Sequence, residues 1–249
     1  MDSRLRIIGA IMLVVGLVSV GAAGYAYLQV QDGQAALEGF SEAQNVTLAY
    51  DDAGELIDRG SAEEAQAILS LLRDDWRWPV SEGDLNPDDP VTDTATEYMF
   101  QMATIAYHTL TGTQNVVLTE QVSYDGDGDG TVAADAPVYT PGEWDPATAR
   151  EDAVFGPGVY QVPVANRYWT GFNRTHPLDG PAREQAWSGT VHGLFAELGV
   201  GATTYSSLQL AQGVALVTLL MGVGFIIVGA GLLWAGMAKK EPEGTPAAA

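Results

Sequence analysis

Three aspartates that alternate with glycines over residues 125–130 have the side chains and the spacing best suited to bind an ion. A Ca²⁺ ion takes about six to eight oxygen ligands, and carboxylates two residues apart in a loop can turn toward the same ion. The intervening glycines permit the tight backbone turns that such a loop needs. The sequence therefore predicts a calcium site, the only cofactor site we expect, with these candidate ligands: Asp125, Asp127, Asp129, Thr131 and Asp135.

This stretch resembles the start of an EF-hand or dockerin-type calcium loop. The resemblance covers residues 125–136 and departs at the closing position, because the twelfth residue is Ala136 where a bidentate glutamate or an aspartate is expected. The flanking sequence favours a strand and irregular structure over two helices, so a complete EF-hand is not expected. The alternative is an acidic turn without an ion, since Asp-Gly pairs are strong turn formers.

A second candidate binding surface is Trp76-Arg77-Trp78, in which an arginine lies between two indoles. Such clusters form stacking platforms for a sugar or a cationic ligand. The alternative is that both rings belong to the hydrophobic core while the arginine extends to solvent.

Catalytic signatures are missing from the sequence. His108, His176 and His192 lie on different predicted elements, so a shared zinc site would need the fold to bring them together. Neither His-Glu-x-x-His nor Gly-x-Ser-x-Gly occurs, and the chain has no cysteine. We therefore assign no catalytic residue.

Two uncharged apolar runs, residues 7–28 and 213–238, bracket the acidic part of the chain. At about 1.5 Å per helical residue, each run is long enough to cross a hydrocarbon core of about 30 Å. We predict an α+β extracytoplasmic domain flanked by two transmembrane helices. The predicted divisions are cytoplasmic residues 1–6, a first span at 7–28, the α+β domain at 29–208, a second span at 209–238 and a cytoplasmic tail at 239–249.

Positive charges orient these spans. Arg4 and Arg6 precede the first, and Lys239 and Lys240 follow the second, so the positive-inside rule places both termini in the cytoplasm and the domain outside the plasma membrane. The alternative for the first run is a signal peptide cleaved after Ala26.

The segment between the spans is strongly acidic. Residues 29–208 contain 29 acids, seven arginines and no lysine, a net charge of −22. Phosphate backbones would be repelled, which excludes nucleic acid as a partner. A surface of this kind indicates a halophilic, salt-rich setting, with a codon bias toward Asp and Arg over Lys as the alternative.

The spans contain no acidic residue, no lysine, no arginine and no histidine, which argues against a proton or ion pathway within this chain. Two small-residue pairs four positions apart are typical of helix-packing faces. We expect Thr218 with Gly222, and Gly231 with Ala235, to contact the other span or another subunit.

Local signals define the elements of the outer domain. After a polar connector, residues 45–58 read as a hairpin, and capping-box pairs, Ser61 with Glu64 and Thr94 with Glu97, begin two helices. The remaining predictions are a strand at 116–124, irregular structure at 125–158, a strand at 159–164 and a helix at 181–198 that the glycines at 199–201 end.

These features favour a structural or accessory subunit of a cell-envelope complex, in contact with the bilayer and with another membrane protein or a second copy of itself. The second interpretation is a sensory ectodomain that binds calcium or another ligand, such as a carbohydrate. The third is an enzyme whose type the motifs do not identify. The predicted cytoplasmic ends are short, so a sensor would have to pass its signal through a partner.

Overall fold

The computed structural model describes residues 2–110, 112–167 and 171–237. The described residues before Ser41 and after Thr203 form a helical unit, and Ser41–Thr203 forms an α+β unit. Ala238 and the tail that contains Lys239 and Lys240 lie outside the described residues. Two long apolar helices that flank a region of small sheets in sequence agree with the predicted fold at this coarse level.

The described part of the chain folds into α-helices and short β-strands. The helices are α1 (Asp2–Gln44), α2 (Ala62–Ser70), α3 (Ala95–Thr109), α4 (Asp179–Ala186) and α5 (Gly189–Met237). The strands are β1 (Ala49–Tyr50), β2 (Leu56–Ile57), β3 (Thr113–Leu118), β4 (Val122–Tyr124), β5 (Val138–Tyr139), β6 (Gly142–Glu143), β7 (Ala153–Phe155) and β8 (Gly158–Pro163).

In the helical unit, α1 and α5 run antiparallel and contact each other through small residues that recur every seven positions, the small-residue seam. A Cβ built on Gly16 would lie 2.7 Å from the carbonyl oxygen of Gly222, and one on Gly9 would lie 2.7 Å from that of Gly229. The two backbones therefore approach too closely for larger side chains. The seam consists of the buried residues Gly9, Gly16 and Ala23 on α1 and Ala215, Gly222, Gly229 and Gly236 on α5, and the buried Val30 continues the seven-residue repeat of α1.

The other faces of these two helices remain apolar and uncovered. In the most apolar 18-residue windows of the two candidate spans, only 17% and 11% of the residues are buried. Both helices are long and apolar enough to cross a membrane.

Three predicted helix boundaries are wrong. The helix expected at 181–198 is divided, because α4 ends at Ala186 and α5 begins at Gly189. α1 continues to Gln44 through the expected polar connector, whose Ala, Leu, Gln and Glu residues are good helix formers. α5 passes through residues 199–201 without a break. A Cβ on Gly201 would lie 2.6 Å from the Tyr98 ring, so this glycine permits close packing inside the α+β unit and does not end the helix.

The α+β unit contains one hairpin and two three-stranded sheets. β1 and β2 form the predicted hairpin, with Ala49 opposite Ile57. One sheet has the order β3-β8-β6 and the other β4-β7-β5. In each sheet the central strand pairs antiparallel on one side and parallel on the other.

The core of this unit lies between the central strands and helices α3 and α4. Phe155, Tyr160, Val162 and Leu178 are at most 1% exposed. The Tyr160 hydroxyl lies 2.9 Å from the Gly156 carbonyl oxygen, so this buried polar atom is hydrogen-bonded. With no cysteine in the chain, packing of this kind must hold the fold.

The predicted strand at 116–124 is wrong in its length, because β3 ends at Leu118 and β4 begins at Val122 in a different sheet. Glu120 lies between the two strands. The stretch predicted as irregular contains β5, β6 and β7. Strands of two or three residues are too short to show a periodic pattern.

Candidate functional site

The acidic loop between β4 and β5 brings three carboxylates together. One oxygen from each of Asp125, Asp127 and Asp152 lies within 4.8 Å of the others. β4 and β7 pair antiparallel with Tyr124 opposite Ala153, so Asp125 and Asp152 are neighbours one step beyond the paired strands. The strand register thus adds a third acid to the motif from a distant part of the sequence.

Backbone N–H groups hold two of these carboxylates in place. Both oxygens of Asp125 and both oxygens of Asp152 accept hydrogen bonds from loop amides. The donors, at 2.6–2.8 Å, are the amides of Gly126, Gly128, Gly130 and Ala133. The bonds from Ala133 and Gly126 favour the charged form and lower the pKa of Asp152. The loop therefore gathers three carboxylates, and a bound cation would reduce the repulsion between their negative charges.

The other predicted calcium ligands lie outside this cluster. Asp129 accepts hydrogen bonds from the backbone N and the hydroxyl of Thr131, both at 2.8 Å. Neither Asp129 nor Asp135 belongs to the three clustered carboxylates. Strands, not helices, flank the loop, so the geometry departs from an EF-hand. Sequence reasoning missed Asp152 because only the pairing of β4 with β7 reveals it.

A second cluster joins Asp58, Glu64 and His108, each partly buried. Potential ligand atoms of the three residues lie within 4.8 Å of one another. His108 Nε2 is 2.5 Å from Asp58 Oδ2. The histidine comes from the last turn of α3 and the two acids from the beginning of α2 and the turn before it, so the tertiary fold supplies the partners that the sequence around His108 lacks.

His176 is enclosed in the core and is 1% exposed. Its Nδ1 accepts hydrogen bonds from the amides of Leu178 and Asp179, which places the proton of the neutral ring on Nε2. Burial, and then the nearby Arg167, lower the pKa of His176 to about 4. The ring stacks on Trp144 at a centroid distance of 4.6 Å. His176 is therefore a neutral packing residue at the start of α4.

A buried ion pair lies beside this histidine. Arg167 Nη2 is 2.5 Å from both carboxylate oxygens of Asp179, which is 0% exposed. The guanidinium also donates to the carbonyl oxygens of Pro163 and Gly171. Because all of these polar atoms are hydrogen-bonded, the ion pair is tolerated in the core and holds the segment before α4 in one conformation.

The three histidines have separate surroundings. His192 is exposed, and its Nδ1 lies 2.9 Å from the carbonyl oxygen of Ser188. Among the described residues, no metal-ligating cluster contains two of the histidines. The fold therefore does not assemble a site from all three.

The Trp76-Arg77-Trp78 segment turns away from α2. Trp76 is partly buried and packs against the core, and Trp78 is also partly buried. Arg77 is exposed and has a positive φ of 55°. The sugar or cation surface stays a prediction, and the burial of both rings reduces the aromatic area that a ligand can contact.

Of the four predicted helix-packing residues, Gly222 lies in the small-residue seam against Gly16. The Thr218 hydroxyl donates to the carbonyl oxygen of Val214 within the same helix. Gly231 and Ala235 are exposed. This second pair stays a prediction for contact with another subunit.

Glu97 is a buried carboxyl group, 2% exposed, in the first turn of α3. It completes the predicted capping box, because its Oε2 accepts from the Thr94 amide at 2.8 Å and its amide donates to Thr94 Oγ1. Burial raises the pKa of Glu97 to about 7 in spite of these hydrogen bonds. The group therefore changes its protonation near neutral pH.

Comparison with known proteins identifies no family for this chain. No protein-family model matches the sequence, and neither the curated proteins nor the solved structures give a match.

Substitution of Glu97 by glutamine should change how stability depends on pH. The folded pKa of about 7 exceeds the reference value of 4.5, so the stability that this group contributes is fully present below about pH 4.5 and is lost as the pH rises through about 7. Relative to Glu97→Gln, the wild-type protein should lose melting temperature between about pH 5 and pH 7.5. Thermal unfolding of the full-length protein across this range measures the difference.

Two features make this comparison specific. The lowered pKa of His176 makes stability rise with pH, which is opposite to the effect of Glu97. His176 is present in both proteins, so its contribution is absent from the difference between their melting temperatures. Glu63→Gln, at an exposed position, is the matched control and should follow the wild-type curve. A melting-temperature difference that stays constant from acid to neutral pH would contradict the raised pKa of Glu97.

Proposed function

We propose that this chain is a membrane-anchored protein that holds its α+β unit outside the cytoplasm as a structural or accessory subunit of a cell-envelope complex. The observation that carries the proposal is the apolar surface of α1 and α5. Leu17, Val18, Leu220, Ile227 and Trp234 are each more than 60% exposed. Hydrocarbon would cover such side chains, whereas water solvates them poorly.

Contacts at one end of the helix pair support a common location for both termini. Arg6 Nε donates to the carbonyl oxygen of Gly236 at 2.7 Å, near the end of α5. Arg4 lies two residues earlier on α1. A cationic cluster at the end of a hairpin of spans favours the cytoplasmic side for that end.

Residues 7–28 and 213–237 contain no Asp, Glu, Lys, Arg or His, which favours an anchoring role over transport. The exposed pair Gly231 and Ala235 leaves a small-residue face on α5 for a further helix. These two features support an accessory subunit that associates with another membrane protein or with a second copy of itself.

Cysteine labelling in intact cells tests the orientation, because the natural chain has no cysteine to react. A membrane-impermeant maleimide should label Glu184→Cys, an exposed position on α4, without cell lysis. Ser3→Cys, before the first span, should react only after lysis. The reverse pattern would overturn the topology.

Affinity purification of the full-length chain from its native membrane, in mild detergent and at the host's salt concentration, tests the accessory role. We expect a stoichiometric membrane partner, or a second copy, whose recovery falls when Gly231→Leu fills the small-residue face. Gly21→Leu, at an exposed glycine of α1, should retain it. Recovery of the chain alone as a monomer would contradict the accessory function.

A second candidate function is calcium binding by the ectodomain, favoured by the convergence of Asp152 with Asp125 and Asp127. Three carboxylate ligands with open solvent on one side suit a weak extracellular site, with a Kd of about 0.1–1 mM. Such a site would respond to the calcium concentration of the exterior.

Calcium should raise the melting temperature of the wild-type protein, and both Asp127→Asn and Asp152→Asn should abolish most of that rise. Asp135→Asn is the control that separates the observed cluster from the linear motif, because Asp135 lies outside the three clustered carboxylates. If Asp135→Asn abolishes the response and Asp152→Asn does not, the clustered geometry is not the binding site.

A further inference from the structure

The turn between β2 and α2 places an aspartate and a glutamate side by side. The backbone amide of Asp58 donates to the Ser61 carbonyl oxygen at 3.0 Å, and the Ser61 amide donates to the Asp58 carbonyl oxygen at 2.8 Å. Arg59 and Gly60 complete this two-residue turn with positive φ values of 48° and 86°. Glu64 follows in the first turn of α2, so the tight turn brings its carboxylate next to Asp58.

Helices α2 and α3 both begin at capping-box sequences, and only the box of α3 closes. Thr94 and Glu97 make both reciprocal bonds. At the other, Ser61 Oγ accepts from the Glu64 amide at 3.1 Å, but the Ser61 amide is already bonded to Asp58. The Glu64 carboxylate therefore does not accept the hydrogen bond from the Ser61 amide that a closed capping box would have. Among the described residues, no donor forms a hydrogen bond with it, and it lies instead beside Asp58 and the histidine of α3.

The charge at this position is unbalanced. Asp58 and His108 have side chains that are only 12% and 13% exposed. Within the described residues, no arginine forms an ion pair with Asp58 or Glu64. A protonated imidazole would leave one carboxylate charge unmatched, whereas a divalent cation would match both and would accept the neutral imidazole as a ligand.

We propose that Asp58, Glu64 and His108 bind one divalent transition-metal ion, of which zinc is the best fit. Zinc bonds imidazole nitrogen and carboxylate oxygen at about 2.0–2.2 Å in a tetrahedral arrangement. Its ligand atoms then lie about 3.4 Å apart. To reach this geometry, His108 Nε2 and Asp58 Oδ2 would separate by about 1 Å from their present 2.5 Å, and the Glu64 oxygen, which lies within 4.8 Å of both, would take the third position. Three protein ligands leave the fourth position to water. This site is independent of the function proposed above.

Imidazole nitrogen distinguishes this site from the acidic loop. Calcium and magnesium bind oxygen ligands almost exclusively, whereas nitrogen ligands favour zinc and its neighbours in the first transition row. The metal would connect the turn after β2 and the beginning of α2 to the end of α3, elements that the contact between His108 and Asp58 already joins.

Isothermal titration calorimetry with zinc tests the site on the full-length protein, stripped with a chelator and kept in mild detergent. We expect one zinc ion per chain at the highest affinity. Glu64→Gln and His108→Gln should each weaken that binding by at least about tenfold, since each removes a ligand. Because the Glu64 carboxylate makes no capping bond and lies beside Asp58, Glu64→Gln should not lower the metal-free melting temperature and should raise it slightly by removing one of two neighbouring negative charges.

Three control variants make the result specific. Glu63→Gln, at the exposed neighbour of Glu64, and His192→Gln, at the exposed histidine, should bind zinc as the wild type does. Asp127→Asn should also retain the site, because it alters only the acidic loop. The proposal is overturned if the wild type shows no saturable zinc binding, or if Asp127→Asn loses the ion while Glu64→Gln keeps it. Equal affinity of the cluster for calcium and zinc would contradict the proposal that the site prefers a transition-metal ion.

Discussion

The close approach of α1 and α5 along the small-residue seam is the contact on which the helical unit depends. Where hydrocarbon surrounds two helices, burial of apolar side chains gives little preference for pairing, so van der Waals contact between backbones must provide it. Glycine at Gly9, Gly16, Gly222 and Gly229 makes that contact possible. The seven-residue repeat keeps the seam on one side of each helix. The α+β unit begins in the last turn of α1 and ends within α5, so these two helices are also its two connections to the rest of the chain.

Within the α+β unit, the position of each carboxyl group decides its chemistry. Asp152 accepts two amide hydrogen bonds at the protein surface, which hold its pKa below the usual range. Glu97 is buried in a closed capping box, and desolvation raises its pKa. Glu64 occupies the same helix position as Glu97 but lies free beside another acid and a histidine. One functional group, the carboxyl group, thus provides an ionised carboxylate beside the acidic loop, a group that titrates near neutral pH and a candidate metal ligand.

The unit holds together without disulfides and with very few cations. Its core is apolar, and the buried pair of Arg167 and Asp179 is tolerated because backbone groups satisfy the remaining polar atoms. The excess acids lie on the surface, where salt screens their repulsion. A salt-rich exterior stays a prediction that this distribution of charge favours.

Sequence by itself determined the features that depend on composition and on neighbours within a few residues. These are the two long apolar helices, the β1–β2 hairpin and the Thr94 cap, because hydrophobic length, turn residues and capping bonds act locally. Tertiary structure alone decided the rest. The register of β4 and β7 places Asp152 next to the acidic loop, and the packing of α3 places His108 next to Asp58 and Glu64. Gly201 lies against the ring of Tyr98 and does not end a helix. Such contacts join residues far apart in the chain, and no local pattern contains the register or packing that brings them together.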